Sequence, residues 1–369
     1  MRNSLCFVGT KGQVSVQKQG NVMRYNPLGR TGLKISELCL GSMTWGTQAL
    51  QPDAHRQIDT ALEHGVNIID TAEMYPVNPL LKKTQGDAER IIGNWVAKSG
   101  RRSDVLLATK ASGAGHMNVR EGAPISSKTL RLAVESSLNS LQTDYIDLYQ
   151  LHWPNRGSYA FRQNWDFDAT KQDRSEVIAH MQDVLGALQS MVDEGKIRHF
   201  GLSNESAWGV AQWLRISEDQ GLPRVASIQN EYSLLCRLFD LDLAELAHNE
   251  DVGLLAFSPV AAGLLSGKYA PDVTPPASRR SFVENMGGRI NPKIWPAIDG
   301  YIDVAQKHGL KPVQMALAWC GTRPFMASAI FGATTQVQLE EILGTVDVTL
   351  TDEVLADIQA VHRAHPMPM

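Results

Sequence analysis

Apolar and polar positions along the chain predict a repeating strand–helix unit. Short apolar runs bounded by polar or turn residues read as buried parallel strands. Such runs cover 35–40, ending at Gly41, then 66–70, 105–109, 145–151, 197–202, 225–229, 253–257 and 327–331. Between them the apolar spacing lengthens to the helical period, as in Leu130, Val134, Leu138 and Leu141. Helices are predicted over 52–64, 86–98, 126–141, 177–194, 206–218, 241–248, 312–320 and 336–344, with one more over 351–363. Gly65, Gly100 and Gly195 stand just past helix ends, where glycine commonly stops a helix.

Eight strands alternating with helices imply a closed parallel barrel or a doubly wound open sheet. The count of eight favours the barrel, as does the lack of a G-x-G-x-x-G loop after the first strand. The predicted fold class is therefore α/β, a (β/α)8 TIM barrel in one domain over 23–369, preceded by a polar extension over 1–22. Two connections, 153–176 and 268–296, are too long for plain turns. Both follow strands, so both should lie over the carboxyl-terminal face. The first carries Trp153, Tyr159, Phe161, Trp165 and Phe167, which read as a substrate-pocket wall or as a satellite apolar cluster.

Composition narrows the function. The 369 residues carry 35 basic and 39 acidic side chains, a net charge of −4, without the basic footprint of a nucleic-acid binder. Cys6, Cys39, Cys236 and Cys320 are scattered and form no Cys/His cluster, which argues against a structural zinc site and for free thiols in a reducing compartment. No apolar run is long enough for a membrane helix or a secretory signal, so a cytoplasmic protein with no membrane partner is expected. A homo-oligomer is left open.

The strands end on chemically loaded residues. Active sites of such barrels lie where the carboxyl ends of the strands meet. Asp70, Tyr75, Lys110 and His152 would converge there. Each alone has a bland reading: a cap, packing, a solvated lysine, a structural histidine. Together, on consecutive strands, they suit a carbonyl reduction. A tyrosine hydroxyl titrates near ~10, and a nearby cation such as Lys110 is expected to lower that value. Lys110 needs a counter-ion, for which Asp70 is the candidate. His152 can orient a substrate carbonyl. Hydride transfer is cofactor chemistry and implies a nicotinamide. Ser203, Asn204 and Gln229 can hold its carboxamide, and Phe257 can stack on its ring. Ser258, Leu264, Ser266 and Lys268 can approach a pyrophosphate, as can Gly332 and Thr334 at a helix amino terminus. Gln338 and Glu341 can reach adenine or ribose, or else form a solvated helix face. Trp45 and Trp153 join Tyr75 and His152 as candidate substrate contacts.

At these residues the chain resembles the aldo-keto reductases. The resemblance covers residues 24 to about 350 and rests on Leu28-Gly29-Arg30-Thr31-Gly32-Leu33, Ile69-Asp70-Thr71-Ala72-Glu73-Met74-Tyr75, Thr109-Lys110, the run from Asp144 to His152, Gly201-Leu202-Ser203-Asn204 and Gln229-Asn230-Glu231-Tyr232. It is most similar to bacterial Tas-type members and more distantly to potassium-channel β-subunits. The resemblance implies reduction of aldehydes or ketones with NADPH, without metal or flavin. Tyr75 would be the acid, Asp70 and Lys110 its tuning pair, and His152 the substrate orienter. Gly41, Ser42 and Met43 would lie beside the nicotinamide half. Ala333, Gln338 and Ile342 depart from the family pattern where a 2′-phosphate is usually met, which leaves NADH open. Lys268, Arg279, Arg280 or Arg289 would then supply the charge. Two rivals are a cofactor-sensing regulatory subunit with slow turnover and a Schiff-base lyase on Lys110.

Overall fold

In the computed structural model, which describes residues 22–369, the first patterned segment divides in two. Tyr25–Pro27 (β1) and Lys34–Ser36 (β2) pair as an antiparallel hairpin. Leu38–Gly41 (β3) then enters the barrel. The single strand expected over 35–40 is thereby corrected. The run changes partners at Glu37, whose N–H turns back to the Arg24 carbonyl at 2.9 Å. The polar extension expected over 1–22 lies outside the described residues apart from Val22.

The remaining strands are Ile68–Asp70 (β4), Leu106–Ala111 (β5), Ile146–Leu151 (β6), Ile197–Ser203 (β7), Val225–Glu231 (β8), Gly253–Phe257 (β9) and Met326–Phe331 (β10). β3 to β10 pair in chain order, all parallel, and β10 closes on β3. The helices are Gln51–Glu63 (α1), Asp87–Ser99 (α2), Ser127–Leu141 (α3), Arg174–Asp193 (α4), Ala207–Gln220 (α5), Asp242–Glu250 (α6), Arg279–Phe282 (α7), Ile294–Lys307 (α8), Pro312–Gly321 (α9), Gln336–Leu343 (α10) and Asp352–Ala364 (α11). The chain is thus a (β/α)8 barrel. Among the described residues no helix is long and apolar enough to cross a membrane.

Local chemistry sets the helix ends. Ser126 and Thr129 form a reciprocal capping box at α3, and Asp173 accepts the N–H groups of Ser175 and Glu176 at α4. Two helices, the four-residue α7 and the longer α8, fall within or just past the connection expected over 268–296 and are not predicted by the apolar pattern; α8 is the instructive one. Its buried Ile294, Ala297, Ile298, Tyr301, Val304 and Ala305 do recur at helical spacing, but Pro296 and Gly300 interrupt the reading. Proline is tolerated in a first turn. A Cβ at Gly300 would meet Val361 of α11 at 3.0 Å, so glycine lets the two helices approach.

Strand side chains alternate faces, and that alternation builds the barrel interior in layers. Cys39, Ile68, Ala108, Leu148, Leu255 and Ala327 form an apolar cluster inside it. Leu28 and Ile35 of the hairpin join this cluster and plug the amino-terminal end. Two residues further along each strand the same inward face carries Asp70, Lys110 and Gln150.

One buried carboxyl on the outer side of the sheet carries a stability prediction. Glu89 of α2 accepts the Thr109 hydroxyl at 2.6 Å. Burial raises its pKa from the ordinary 4.5 to about 7, against the pull of hydrogen bonds from Thr109 and Ser137. The folded state therefore holds this proton where the unfolded chain has lost it. Its contribution to stability is full below pH 4.5 and disappears as the pH rises to about 7. Glu89→Gln keeps an acceptor for Thr109 and removes the charge. Urea unfolding at alkaline pH should find it more stable than wild type by up to about 3 kcal/mol, with the difference vanishing at acidic pH. Equal stabilities across the pH range would refute this.

Candidate active site

The inward polar layer is a connected network. Lys110 is fully buried, and its Nζ donates to Asp70 Oδ2 and to the Thr71 carbonyl, both at 2.6 Å. The other Asp70 oxygen accepts Gln229 Nε2 at 2.8 Å and Gln150 Nε2 at 3.3 Å. Gln229 also donates to Gln150 Oε1 at 3.1 Å. Four strands therefore hold one carboxylate. Strand register makes this unavoidable, since Asp70 lies beside Ala108, Lys110 beside Gln150, and Ser203 beside Gln229. Burial alone would push the Lys110 pKa down. The charge of Asp70 and its hydrogen bond oppose that push, and the Lys110 pKa is raised, so the ammonium is retained.

Tyr75 and His152 complete the expected set. The Lys110 ammonium lies 5.0 Å from the centre of the Tyr75 ring. Tyr75 meets His152 edge-on at 5.8 Å between ring centres. The expected lowering of the Tyr75 pKa is corrected by burial, which is the largest influence and leaves the phenol above its ordinary 10. Lys110 opposes that rise through its charge and a hydrogen bond, while Asp70 adds to it. The phenol is thus neutral at physiological pH and holds a proton it can give. Burial, then Lys110 and His116, push His152 well below its ordinary value, so its imidazole is neutral.

The candidate cofactor residues divide by accessibility and engagement. Asn204 has a left-handed backbone (φ 55°), and its Nδ2 donates to the His152 carbonyl at 2.9 Å. Its Oδ1 is buried without a partner. Ser203 donates to the Gln229 carbonyl at 2.8 Å. Ser42 donates to the Asp70 carbonyl at 3.0 Å, and Met43 packs partly buried against the core. A Cβ at Gly41 would lie 2.9 Å from both Ile330 Cγ2 and the Phe331 carbonyl, so only glycine fits there. Phe257 ends β9 half-buried. Beyond it the backbone turns left-handed at Ser258, Ala261, Ala262 and Gly263, a run of the kind that gathers N–H groups into an anion-binding concavity. Ser266 donates to the Gly263 carbonyl at 2.7 Å within that turn. Gly332 and Thr334 lead into α10. Glu341 is half-buried, and its carbonyl accepts Gln314 at 2.7 Å.

Three expected residues turn their side chains away from the mouth. Trp45 is fully buried and donates to Gln57 at 3.1 Å, so it packs behind the site and does not line it. The Leu264 side chain is fully buried in the core. Gln338 folds back, its Oε1 accepting the Thr334 N–H at 2.9 Å and hydroxyl at 3.0 Å.

Trp153 follows His152 directly at the start of the first long connection. Its indole donates to the Ala114 carbonyl at 3.1 Å and packs on His152 at 4.9 Å and on Phe161 at 6.3 Å. A Cβ at Gly113 would come within 2.4 Å of the indole, which explains a glycine there. Gln150 and Glu231 also belong to the site, although neither is among the residues expected there. The signal for Gln150 was its inward register, two residues past Leu148. Glu231, at the end of β8, pairs with Arg162 and Arg289 from the two long loops, and local pattern gives no sign of such distant partners.

Comparison with known proteins agrees with this geometry. The profile described as "Aldo/keto reductase family" matches residues 37–363. The protein tas of Escherichia coli (strain K12) is 40% identical over 352 residues, 94% of this chain and 99% of that protein. The uncharacterized oxidoreductase YrpG of Bacillus subtilis (strain 168) is 32% identical over 342 residues, 90% of this chain and 94% of its own length. A probable voltage-gated potassium channel subunit beta of Arabidopsis thaliana is 29% identical over 352 residues, covering 93% and 98%. With its closed barrel and the buried Lys110–Asp70 pair at the mouth, this chain belongs to the aldo/keto reductase family and is an NAD(P)H-dependent oxidoreductase.

Proposed function

We propose that the protein reduces aldehyde or ketone carbonyls to alcohols with NADPH, Tyr75 donating the proton. The observation that carries this reading is the fully buried Lys110–Asp70 pair beneath a neutral Tyr75, with His152 on its flank. When bound, the nicotinamide supplies the hydride. The chain's own groups do the rest. Asp70 keeps Lys110 charged, and Lys110 stabilises the phenolate left when Tyr75 gives up its proton. The neutral imidazole of His152 hydrogen-bonds the substrate oxygen and aims it at the Tyr75 hydroxyl. A low-dielectric setting strengthens each of these interactions. The carboxamide is held by Asn204, whose Oδ1 lacks a partner, with Ser203 and Gln229 alongside. The free thiols Cys39, Cys236 and Cys320 suit the cytoplasm.

The choice of NADPH rests on the cations of the second long loop. Arg280 is spent on the carbonyls of Ala270 and Pro271, at 2.5 and 2.8 Å, and Arg289 on Glu231. Burial and then Arg289 push Arg279 down to about 10, and the opposing influences come from Tyr269 and Tyr75, not from a carboxylate. Arg279, with Lys268, is left to meet the 2′-phosphate. Arg279→Ala should weaken NADPH binding by about 10–100-fold and leave NADH nearly unchanged, as a lost charged hydrogen bond would. Fluorescence quenching gives both dissociation constants, and equal losses would remove Arg279 from this role.

The reductase reading is tested by following NADPH oxidation with a panel of aromatic and aliphatic aldehydes. Turnover with the matching alcohol as product supports it. Tight NADPH binding with no turnover across the panel would favour the regulatory alternative, to which the likeness to a probable potassium channel subunit beta lends weight.

A further inference from the structure

We infer that Glu231 is a positioning residue that couples the cofactor side of the barrel mouth to the substrate side, through Arg289 on one loop and Arg162 on the other. The inference rests on the NADPH reading above. Glu231 ends β8, two residues after Gln229. Its Oε1 accepts Arg289 Nε at 2.7 Å, and its Oε2 accepts Arg162 Nη1 at 2.5 Å. All three side chains are largely buried.

Each arginine leads to a different part of the site. Arg289 donates to the Met286 carbonyl at 2.8 Å and to Ser258 Oγ at 3.4 Å, in the left-handed turn read as the pyrophosphate cradle. Arg162 follows Phe161, whose ring meets Trp153, whose ring in turn packs on His152. A contact path thus runs from Ser258 through Glu231 to the substrate wall. Both Phe161 and Arg162 hold left-handed backbones (φ 57° and 66°), so their conformation depends on tertiary contacts. The loops also touch directly, since Cβ atoms at Gly287 and Gly288 would stand 3.7 and 3.5 Å from the Arg162 guanidinium.

Charge makes the arrangement responsive. Two guanidiniums share one carboxylate in a poorly solvated place: burial lowers the Arg162 pKa, Glu231 opposes that, and the charge of Arg289 adds to it. Without Glu231 they repel, and the loops separate. A cofactor that orders the loop over 258–293 therefore orders the loop over 153–173 as well, although none of the candidate cofactor residues lies in 153–173. Coupling of this kind is reciprocal.

Hydrogen–deuterium exchange of the full-length protein, with and without saturating NADPH, tests this without recourse to turnover. In wild type both loops should exchange at least about fivefold more slowly with NADPH, within the range usual for coupled sites. In Arg162→Ala the loop over 258–293 should remain protected by NADPH, while the protection of 153–173 is lost. Glu231→Gln should behave alike; should it fail to fold, Arg162→Ala carries the test alone. Wild-type protection confined to 258–293 overturns the coupling and spares the cofactor reading, as does protection of 153–173 that survives Arg162→Ala. Absence of NADPH protection from both wild-type loops overturns the cofactor reading and the coupling with it.

Discussion

Tyr75→Phe should lose about 10²–10⁴-fold in turnover number, the usual contribution of a positioned proton donor, with the NADPH dissociation constant unchanged. The substitution removes one oxygen and keeps the ring that packs against Lys110 and His152. The pH profile gives a second signature. Burial holds the Tyr75 hydroxyl above its ordinary value, so the acid form persists through the neutral range. Reduction by wild type should be level there and fall only in alkaline solution, as the phenol ionises. A phenylalanine variant that turns over like wild type would show that the proton comes from elsewhere.

The second large effect is on stability. Asp70→Leu leaves the Lys110 ammonium in a fully buried position without its counter-ion. Breaking a buried pair from one side typically costs 3–5 kcal/mol, or about that here, because the remaining charge is uncompensated. It also strands the amides of Gln229 and Gln150, which donate to the same carboxylate. Adding Lys110→Met removes the orphaned charge, so the double variant should recover much of the loss in urea unfolding while remaining inactive in the oxidation assay. Additive destabilisation in the double variant would mean that Asp70 and Lys110 do not act as a pair. Recovery of stability without activity would separate two roles of the same residues: the pair serves the reaction, and the fold tolerates it because each charge has its partner.

Much of this architecture could be read from periodicity. Strands such as β6 and β9 are short apolar runs with sharp ends, and inward register then puts Lys110 and His152 at one face. What could not be read depends on partners remote in sequence. The run containing Ile35 and Leu40 looks continuous, yet its halves bond to different strands, and only tertiary pairing divides them. Trp45 sits just after a strand end, where lining residues are expected, but Gln57 of α1 draws its indole inward. The cation nearest Tyr75 points to a lowered pKa, but burial, which depends on the whole fold, is the larger influence. Glu231 bonds residues 69 positions before and 58 positions after it, beyond the reach of any local pattern.

The hairpin of Leu28 and Ile35 under the barrel has a consequence for traffic. A barrel stoppered at its floor is a blind alley with one doorway. Nucleotide, carbonyl compound and alcohol must all pass the same threshold, between the two long loops. Crowding there, rather than any bottleneck in the strands below, would set how quickly one visitor gives way to the next. Variation in the loops would then alter throughput while leaving the polar layer of Asp70 and Lys110 just inside the doorway untouched.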